Sequence, residues 1–183
     1  VHNGHLALAE LARVHLKLDA VFFVPASRPP HKLSTVSAPV EDRVTMLRMA
    51  LRDNPSFVLW DGELRRGGIS YTVDTLEALR GEHPDAEFAF LIGSDNLEEI
   101  PSWRDYHRIL SMAVLAVVPR PGYSLDIPGR LRGATIEWVP SPEWGVSSSM
   151  VRKYTERGLS CRYLVPEPVY GHITERRLYR VSD

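Results

Sequence analysis

The chain has 183 residues, 44% of them hydrophobic and 25% charged, with 22 basic side chains against 23 acidic ones and a formal net charge of −1. That length suits one domain, residues 1–183, with a substantial core, and the balanced charge without a basic run disfavours non-specific nucleic-acid binding, which depends on accumulated Lys and Arg. One cysteine, Cys161, leaves no intramolecular disulfide and no cysteine-built zinc site and suits a reducing cytoplasm, while no apolar run approaches the ~20 residues that would span a membrane and no secretory leader is visible.

Residues 4–18 read as a helix, with Leu8, Leu11, Ala12 and Leu18 on one face and Glu10, Arg13 and Lys17 elsewhere. Residues 20–24 (AVFFV) form a continuous apolar run, the mark of a strand buried on both faces of a parallel sheet. Four prolines between 25 and 39 make a long loop at that strand's carboxyl end. A helix follows over 40–52, stopped by Asn54-Pro55, then a short strand over 57–60 that turns away at Asp61-Gly62. The next helix starts near Ser70-Tyr71-Thr72 and carries Val73, Leu76 and Leu79 inward. Strands are predicted over 88–92, 113–118 and 135–139, the last an outer one by its weak alternation, with a short helix over 103–110. The segment 121–134 is the flexible stretch. Helices over 148–157 and 166–178 complete a C-terminal helical part beginning near residue 147. Strands alternating with helices imply an α/β fold, a Rossmann-like doubly wound parallel sheet with helices on both faces. The first helix begins almost at Val1, where such a fold places a strand and a phosphate-binding turn, so a strand and a glycine-rich turn are expected ahead of Val1.

In sheets of this kind ligands bind beyond the carboxyl ends of the strands, and the chemically capable residues collect there. His2-Asn3-Gly4-His5 opens the first helix with two imidazoles on one face. The glycine between them lets backbone approach a phosphate closely. Near the other end, Ser147-Ser148-Ser149 heads a helix with Arg152 a turn further on, so hydroxyl and backbone donors and a planar guanidinium can converge on one phosphate. A serine cluster can also serve merely as a cap. Lys32, in the stiff Pro29-Pro30-His31-Lys32 loop, can meet a phosphate as a point charge or remain a solvated surface lysine. The helix start at Tyr71 and Thr72 offers free N–H groups to an anion, and equally reads as a plain cap. Gly93 permits a tight exit from a buried strand, and Asp95 can accept hydrogen bonds from ribose hydroxyls. Trp103 either packs or stacks on a ligand ring. Arg120 places a cation on the same rim.

These residues in this order resemble the bacterial nicotinate-nucleotide adenylyltransferase family over nearly the whole chain. The motifs are HNGH at 2–5, PPHK at 29–32, SYTVDTL at 70–76, GSDN at 93–96 with Trp103, PRPGY at 119–123, VSSSMVR at 146–152 and YLVPEPV at 163–169. HxGH and the serine–arginine element belong to the wider nucleotidylyltransferase superfamily and fix the reaction class; PPHK, SYTxDTL and the tryptophan after GSD point to the nicotinate branch. Val146 and Ser149 stand where that family more often has Ile and Thr. The resemblance implies transfer of the adenylyl group of ATP, with Mg²⁺, to nicotinate mononucleotide, in the cytoplasm. It implies that His2, His5 and Arg152 are catalytic. His2, His5, Gly93, Asp95, Ser147, Ser148, Ser149 and Arg152 would hold ATP, and Lys32, Tyr71, Thr72, Trp103 and Arg120 the mononucleotide. No residue is assigned to a metal. Partners are then these two small molecules, with no nucleic acid and no membrane; the sequence leaves a homo-oligomer open.

Rival readings are a sister enzyme acting on nicotinamide mononucleotide or on pantetheine phosphate, a non-catalytic nucleotide-binding module, and a hydrolase or metal site. A module that had lost catalysis would be expected to lose phosphate contacts, yet His2, His5, Ser148 and Arg152 are all present. There is no G-x-S-x-G motif for a serine hydrolase, and the histidine pair lacks a third ligand at helical spacing.

Overall fold

The computed structural model describes residues 1–28 and 38–180; Lys32 and the rest of the PPHK motif lie outside them. Helix α1 (Asn3–His15) leads into strand β1 (Val21–Phe23), and helix α2 (Val40–Leu51) into β2 (Phe57–Leu59). A short helix α3 (Gly62–Arg66) and α4 (Thr72–Glu82) precede β3 (Ala89–Gly93); α5 (Tyr106–Met112) precedes β4 (Val114–Val118), and β5 (Ile136–Trp138) is followed by α6 (Ser148–Glu156) and α7 (Glu167–Glu175). All strand pairs are parallel. They form two groups: β1 with β2, and β3–β4–β5 with β4 central and β5 outermost. Among the described residues no ladder joins β1 to β3, and a cleft of about 1130 Å³ runs between them.

Strand β4 shows why the sheet is covered twice. Its side chains alternate, and both sets are buried. Leu115 and Val117 pack with Ile92, Leu97 and Ile100 on one face, while Ala116 and Val118 meet Ala12 of α1 and Val139 on the other. Burying each such aliphatic side chain contributes ~1.5–3 kcal/mol. Helices α4 and α5 pack Val73, Leu76 and Ile109 together beside Phe88 and Phe90. Helices α6 and α7 build a further core with α2 from Met46, Val151, Val165, Val169 and Ile173. Asp42 of α2 is buried there, with Oδ1 2.8 Å from Nε2 of His172 on α7 and 3.3 Å from Nε of Arg176, which caps that helix's C-terminus. Burial alone would raise its pKa; the hydrogen bonds from His172 and Arg176 and the Arg176 charge together hold it below the ordinary carboxylate value.

Three expected boundaries move for local reasons. Helix α3 was expected as a plain turn; Glu63 folds inward from it to accept the Thr75 hydroxyl at 2.5 Å, giving one turn of helix a buried anchor. The helix expected from Trp103 begins three residues later, because Trp103 closes a 3₁₀ turn (Ile100–Ser102) and Asp105 adopts a left-handed φ of 51°. Helix α1 stops at His15, where Lys17 turns left-handed (φ 56°) and the Leu16 and Leu18 amides close onto Ala12 and Arg13.

Candidate active site

His2 is the N-cap of α1 in extended conformation (φ −142°), so its side chain folds over the helix's first turn. There it stacks on His5, the ring centroids 3.7 Å apart. Gly4 makes the fold-over feasible: a Cβ there would stand 3.1 Å from His2 Nδ1. Asn3 anchors this corner, its amide reaching Leu164 O at 2.9 Å and its side-chain Nδ2 reaching Tyr163 O at 2.7 Å. His2 is only 5% exposed. Burial first, then the charges of His5, the chain's amino group and Arg120, lower its pKa from 6.5 to about 3, leaving a neutral ring.

The head of α6 faces the same space. Ser147 is its N-cap, with Oγ accepting the Met150 amide at 3.1 Å, and Ser149 Oγ accepts from Arg152 Nη2 at 3.1 Å. The capping role thus occupies Ser147, and Ser149 orients Arg152. Ser148 and Arg152 line the cleft together with His2, His5 and Thr72, and Arg43 and Tyr179 join them. Burial raises the Tyr179 phenol while the positive charges of Arg152 and Arg43 pull it down. This part of the cleft wall therefore combines imidazoles, hydroxyls and guanidinium groups, a donor set for phosphate oxygens.

A second cluster lies where β3 and β4 end. Gly93 and Val118 are register partners. Just beyond them Ser94 Oγ accepts the Arg120 amide at 2.9 Å, and Arg120 Nε lies 3.3 Å from Asp95 Oδ1. A small hollow of about 20 Å³ joins Arg120 to His2, His5, Trp144 and Val146.

The expected base pocket is assembled differently from its sequence reading. Ser70 does not cap α4: its Oγ accepts the Ser27 amide at 2.9 Å, tying the loop after β1 to this corner. Tyr71 is the N-cap residue and makes no side-chain cap bond, its ring lying 4.7 Å under the Arg104 guanidinium. Thr72, at the first helical position, lines the cleft. Trp103 packs edge-on to Phe90 at 5.9 Å, with its Nε1 buried and unpartnered among the described residues. Among the described residues no group of three or more His, Cys, Asp or Glu side chains is gathered around a metal position.

The cytidylyltransferase-like family model matches residues 1–154. A Thermomicrobium roseum protein is 39% identical over 188 residues, covering all of this chain and 88% of its own length. A Geobacter metallireducens protein is 39% identical over 200 residues, covering 98% and 93%. Both carry the name "Probable nicotinate-nucleotide adenylyltransferase". The chain belongs to the nicotinate-nucleotide adenylyltransferase family. The Plasmodium falciparum nicotinic acid mononucleotide adenylyltransferase complexed with NaAD has a TM-score of 0.77 across 98% of this chain and 91% of its own. At 16% identity that likeness speaks for the fold alone.

In this adenylyltransferase-family chain, His2, His5, Thr72, Ser148 and Arg152 meet on one cleft, while Gly93, Asp95 and Arg120 form an adjoining group. Tyr71 and Trp103 share a partly buried cluster with Val73 and Leu76. Ser94, Arg43 and Tyr179 were not singled out by sequence. Ser94 lies inside the GSDN motif and could have been found there, whereas Arg43 looks like any charged residue on an amphipathic helix, and Tyr179 reaches the cleft only through tertiary folding. No helix among the described residues is long and apolar enough to cross a membrane.

Proposed function

We propose that this chain transfers the adenylyl group of ATP to nicotinate mononucleotide, a step of NAD biosynthesis. The observation that carries this reading is the cleft shared by His2, His5, Ser148 and Arg152 with Thr72 on the same lining. The 5′-phosphate oxygen of the mononucleotide attacks the α-phosphorus of ATP. A new P–O bond forms, the α–β bridging P–O bond breaks, and pyrophosphate leaves with the bond's electron pair. A phosphate monoester is already anionic near neutral pH, so no strong general base is required, and the protein's work is positioning and charge stabilisation.

In this reading the stacked His2 and His5 hold the ATP phosphates, and Ser148 and Arg152 hold the departing β- and γ-phosphates. Thr72 and Trp103 border the pyridine ring, and Lys32 adds a phosphate contact. Mg²⁺ arrives on ATP and offsets phosphate charge when bound. The lining offers donors and no cluster of carboxylates among the described residues, so the ion would be held by phosphate oxygens and water. The enzyme works in the cytoplasm on small molecules. Pyrophosphate release measured with ATP and nicotinate mononucleotide, and separately with nicotinamide mononucleotide and phosphopantetheine, tests the reading. Turnover with the first is expected; release only with another acceptor, or with none, overturns it.

A further inference from the structure

We infer that Arg43 is a positioning residue for the acceptor: it ties the segment that leaves β1 to helix α2 and so sets the place of the head of α4 in the cleft. The inference rests on the adenylyl-transfer reading above and adds to it a residue from a helix that carries none of the sequence motifs.

Three consecutive residues beyond β1 are each held. Ala26 O accepts from Arg43 Nη1 at 2.8 Å, the Ser27 amide donates to Ser70 Oγ at 2.9 Å, and Arg28 O accepts the Ser70 amide at 3.0 Å. A parallel bridge between Arg28 and Ile69 continues the same seam. Residues 26–28 therefore form a strap, with α2 at one end and the approach to α4 at the other. Ser70 commits both its hydroxyl and its amide to that strap. Thr72, two residues on, opens α4 and lines the cleft.

Arg43 is itself fixed from behind. It lies in the first turn of α2, next to Asp42, whose buried carboxylate joins α2 to His172 on α7 and to Arg176 at that helix's C-terminus. The base of Arg43 is thus anchored through α7 while its head grips the strap. Its Nε is buried and unpartnered among the described residues, so the head keeps this place without a bond that water would give it. The guanidinium also lines the cleft with Ser148, Arg152 and Tyr179. One side chain therefore borders the phosphate wall and holds the strap that leads to the acceptor corner. The separation of those two places is what the reaction depends on. The attacking 5′-phosphate must come within about 3–3.5 Å of the α-phosphorus, and an error of about 1 Å can cost about a hundredfold in rate.

A merely structural Arg43 would cost stability and leave the constants of the folded enzyme alone, and one acting only by its charge on the triphosphate would move KM for ATP. Steady-state kinetics with each substrate varied in turn, with thermal melts to confirm folding, separate these cases. The proteins compared are the wild type, Arg43→Met, Ser70→Ala and the double variant. Methionine keeps an apolar stem but neither the charge nor the donor to Ala26. Arg43→Met should raise KM for nicotinate mononucleotide about tenfold and lower kcat severalfold, with KM for ATP within about twofold of the wild type. Ser70→Ala should show the same pattern, because it frees the other end of the strap. The double variant should fall well short of the product of the two single effects, since both changes loosen one strap. If Arg43→Met does not fold, Arg43→Gln, whose amide ends two bonds short of the Nη atoms, takes its place with the same expected pattern. Wild-type constants in a folded Arg43 variant, a rise confined to KM for ATP, or fully multiplicative effects in the double overturn the inference while adenylyl transfer stands. A wild-type chain with no pyrophosphate release overturns the reading and the inference together.

Discussion

The rings of His2 and His5 lie face to face, centroids 3.7 Å apart and planes 21° apart, and the His2 amide donates to His5 Nδ1 at 3.4 Å. That bond assigns the proton of a neutral His5 to Nε2. His2 is neutral, with a pKa of about 3. Two imidazoles in contact could not both carry charge cheaply, and His2 is the one held neutral. The fixed positive charge comes from Arg152 on the same cleft.

The buried neutral His2 makes stability depend on pH in a definite direction. Its folded pKa of about 3 lies below its unfolded value of 6.5, so between those values the unfolded chain binds a proton that the folded chain refuses. Stability from this group is fully present above about pH 6.5 and is lost as pH falls towards about 3. The fall in Tm between about pH 7.5 and about pH 5 should therefore be smaller in His2→Asn than in the wild type. An equal fall in both proteins would show that His2 titrates normally.

Turnover should suffer more than acceptor binding when the phosphate donors are removed. In the proposed reaction, Arg152→Ala and His5→Ala would each delete a contact that tightens as charge builds on the transferring and leaving phosphates. Such a donor contributes roughly 3–4 kcal/mol, or about 10²–10³ in kcat. KM for nicotinate mononucleotide should change by much less. Normal turnover in either folded variant would remove that residue from the chemistry.

Two glycines should separate site from scaffold. In Gly93→Ala the new methyl meets the ends of Asp95 and Arg120, which can swing away, so KM for ATP should rise about tenfold with a modest loss of stability. In Gly62→Ala the methyl meets the indole of Trp60 at 2.2 Å, and that ring is buried and bonded to Glu82 through Nε1 at 2.8 Å. It has nowhere to go. Overpacking there should cost ~1–3 kcal/mol, visible as a lower Tm, with the kinetic constants of the folded fraction intact. The opposite pattern in the two variants would mean that Gly93 serves the scaffold and not the site.

The parallel alternation of strands and helices and the outer place of β5 were legible in sequence because they depend on period and on runs such as Val114–Val118, whereas the run at 20–24, expected to be buried on both faces, is only half-buried in β1. That His2, His5, Ser148 and Arg152 share one cleft was legible because HxGH and the serine–arginine head combine residue type with a fixed place on a helix. What was not legible depends on long-range partners. Ser70 looked like a cap until Ser27 claimed its oxygen, and Ser147 and Ser149 looked equivalent until one capped α6 and the other held Arg152. Nothing in the spacing of Asp95 and Arg120 shows that parallel register sets them side by side. The onset of α5 shifted because a left-handed Asp105 is a local choice that helical period does not encode.

The last prediction concerns the acceptor's ring. Nicotinate carries a carboxylate where nicotinamide carries a neutral amide. Helix α4 begins at Thr72 with Tyr71 as its cap residue, and Tyr71 makes no side-chain cap bond to the first-turn N–H groups. Those donors and the partial positive end of the helix suit a carboxylate. An amide in the same place would turn its NH₂ towards N–H donors, a mismatch that such a pocket rejects. Arg104, stacked over Tyr71 at 4.7 Å, is paired with Asp74 of the first turn at 3.7 Å and with Asp105 at 3.6 Å, so its charge is already offset there. Trp103 contributes an aromatic edge that treats both rings alike, so Trp103→Ala should weaken both acceptors and leave their ratio nearly unchanged. The wild type should prefer nicotinate mononucleotide by at least an order of magnitude in kcat/KM, about 1.4 kcal/mol or more. Because Arg104 is 53% exposed and paired with Asp74, the preference should depend only weakly on salt, the helix donors carrying it. Equal kcat/KM for the two mononucleotides would place the ring elsewhere than at the head of α4.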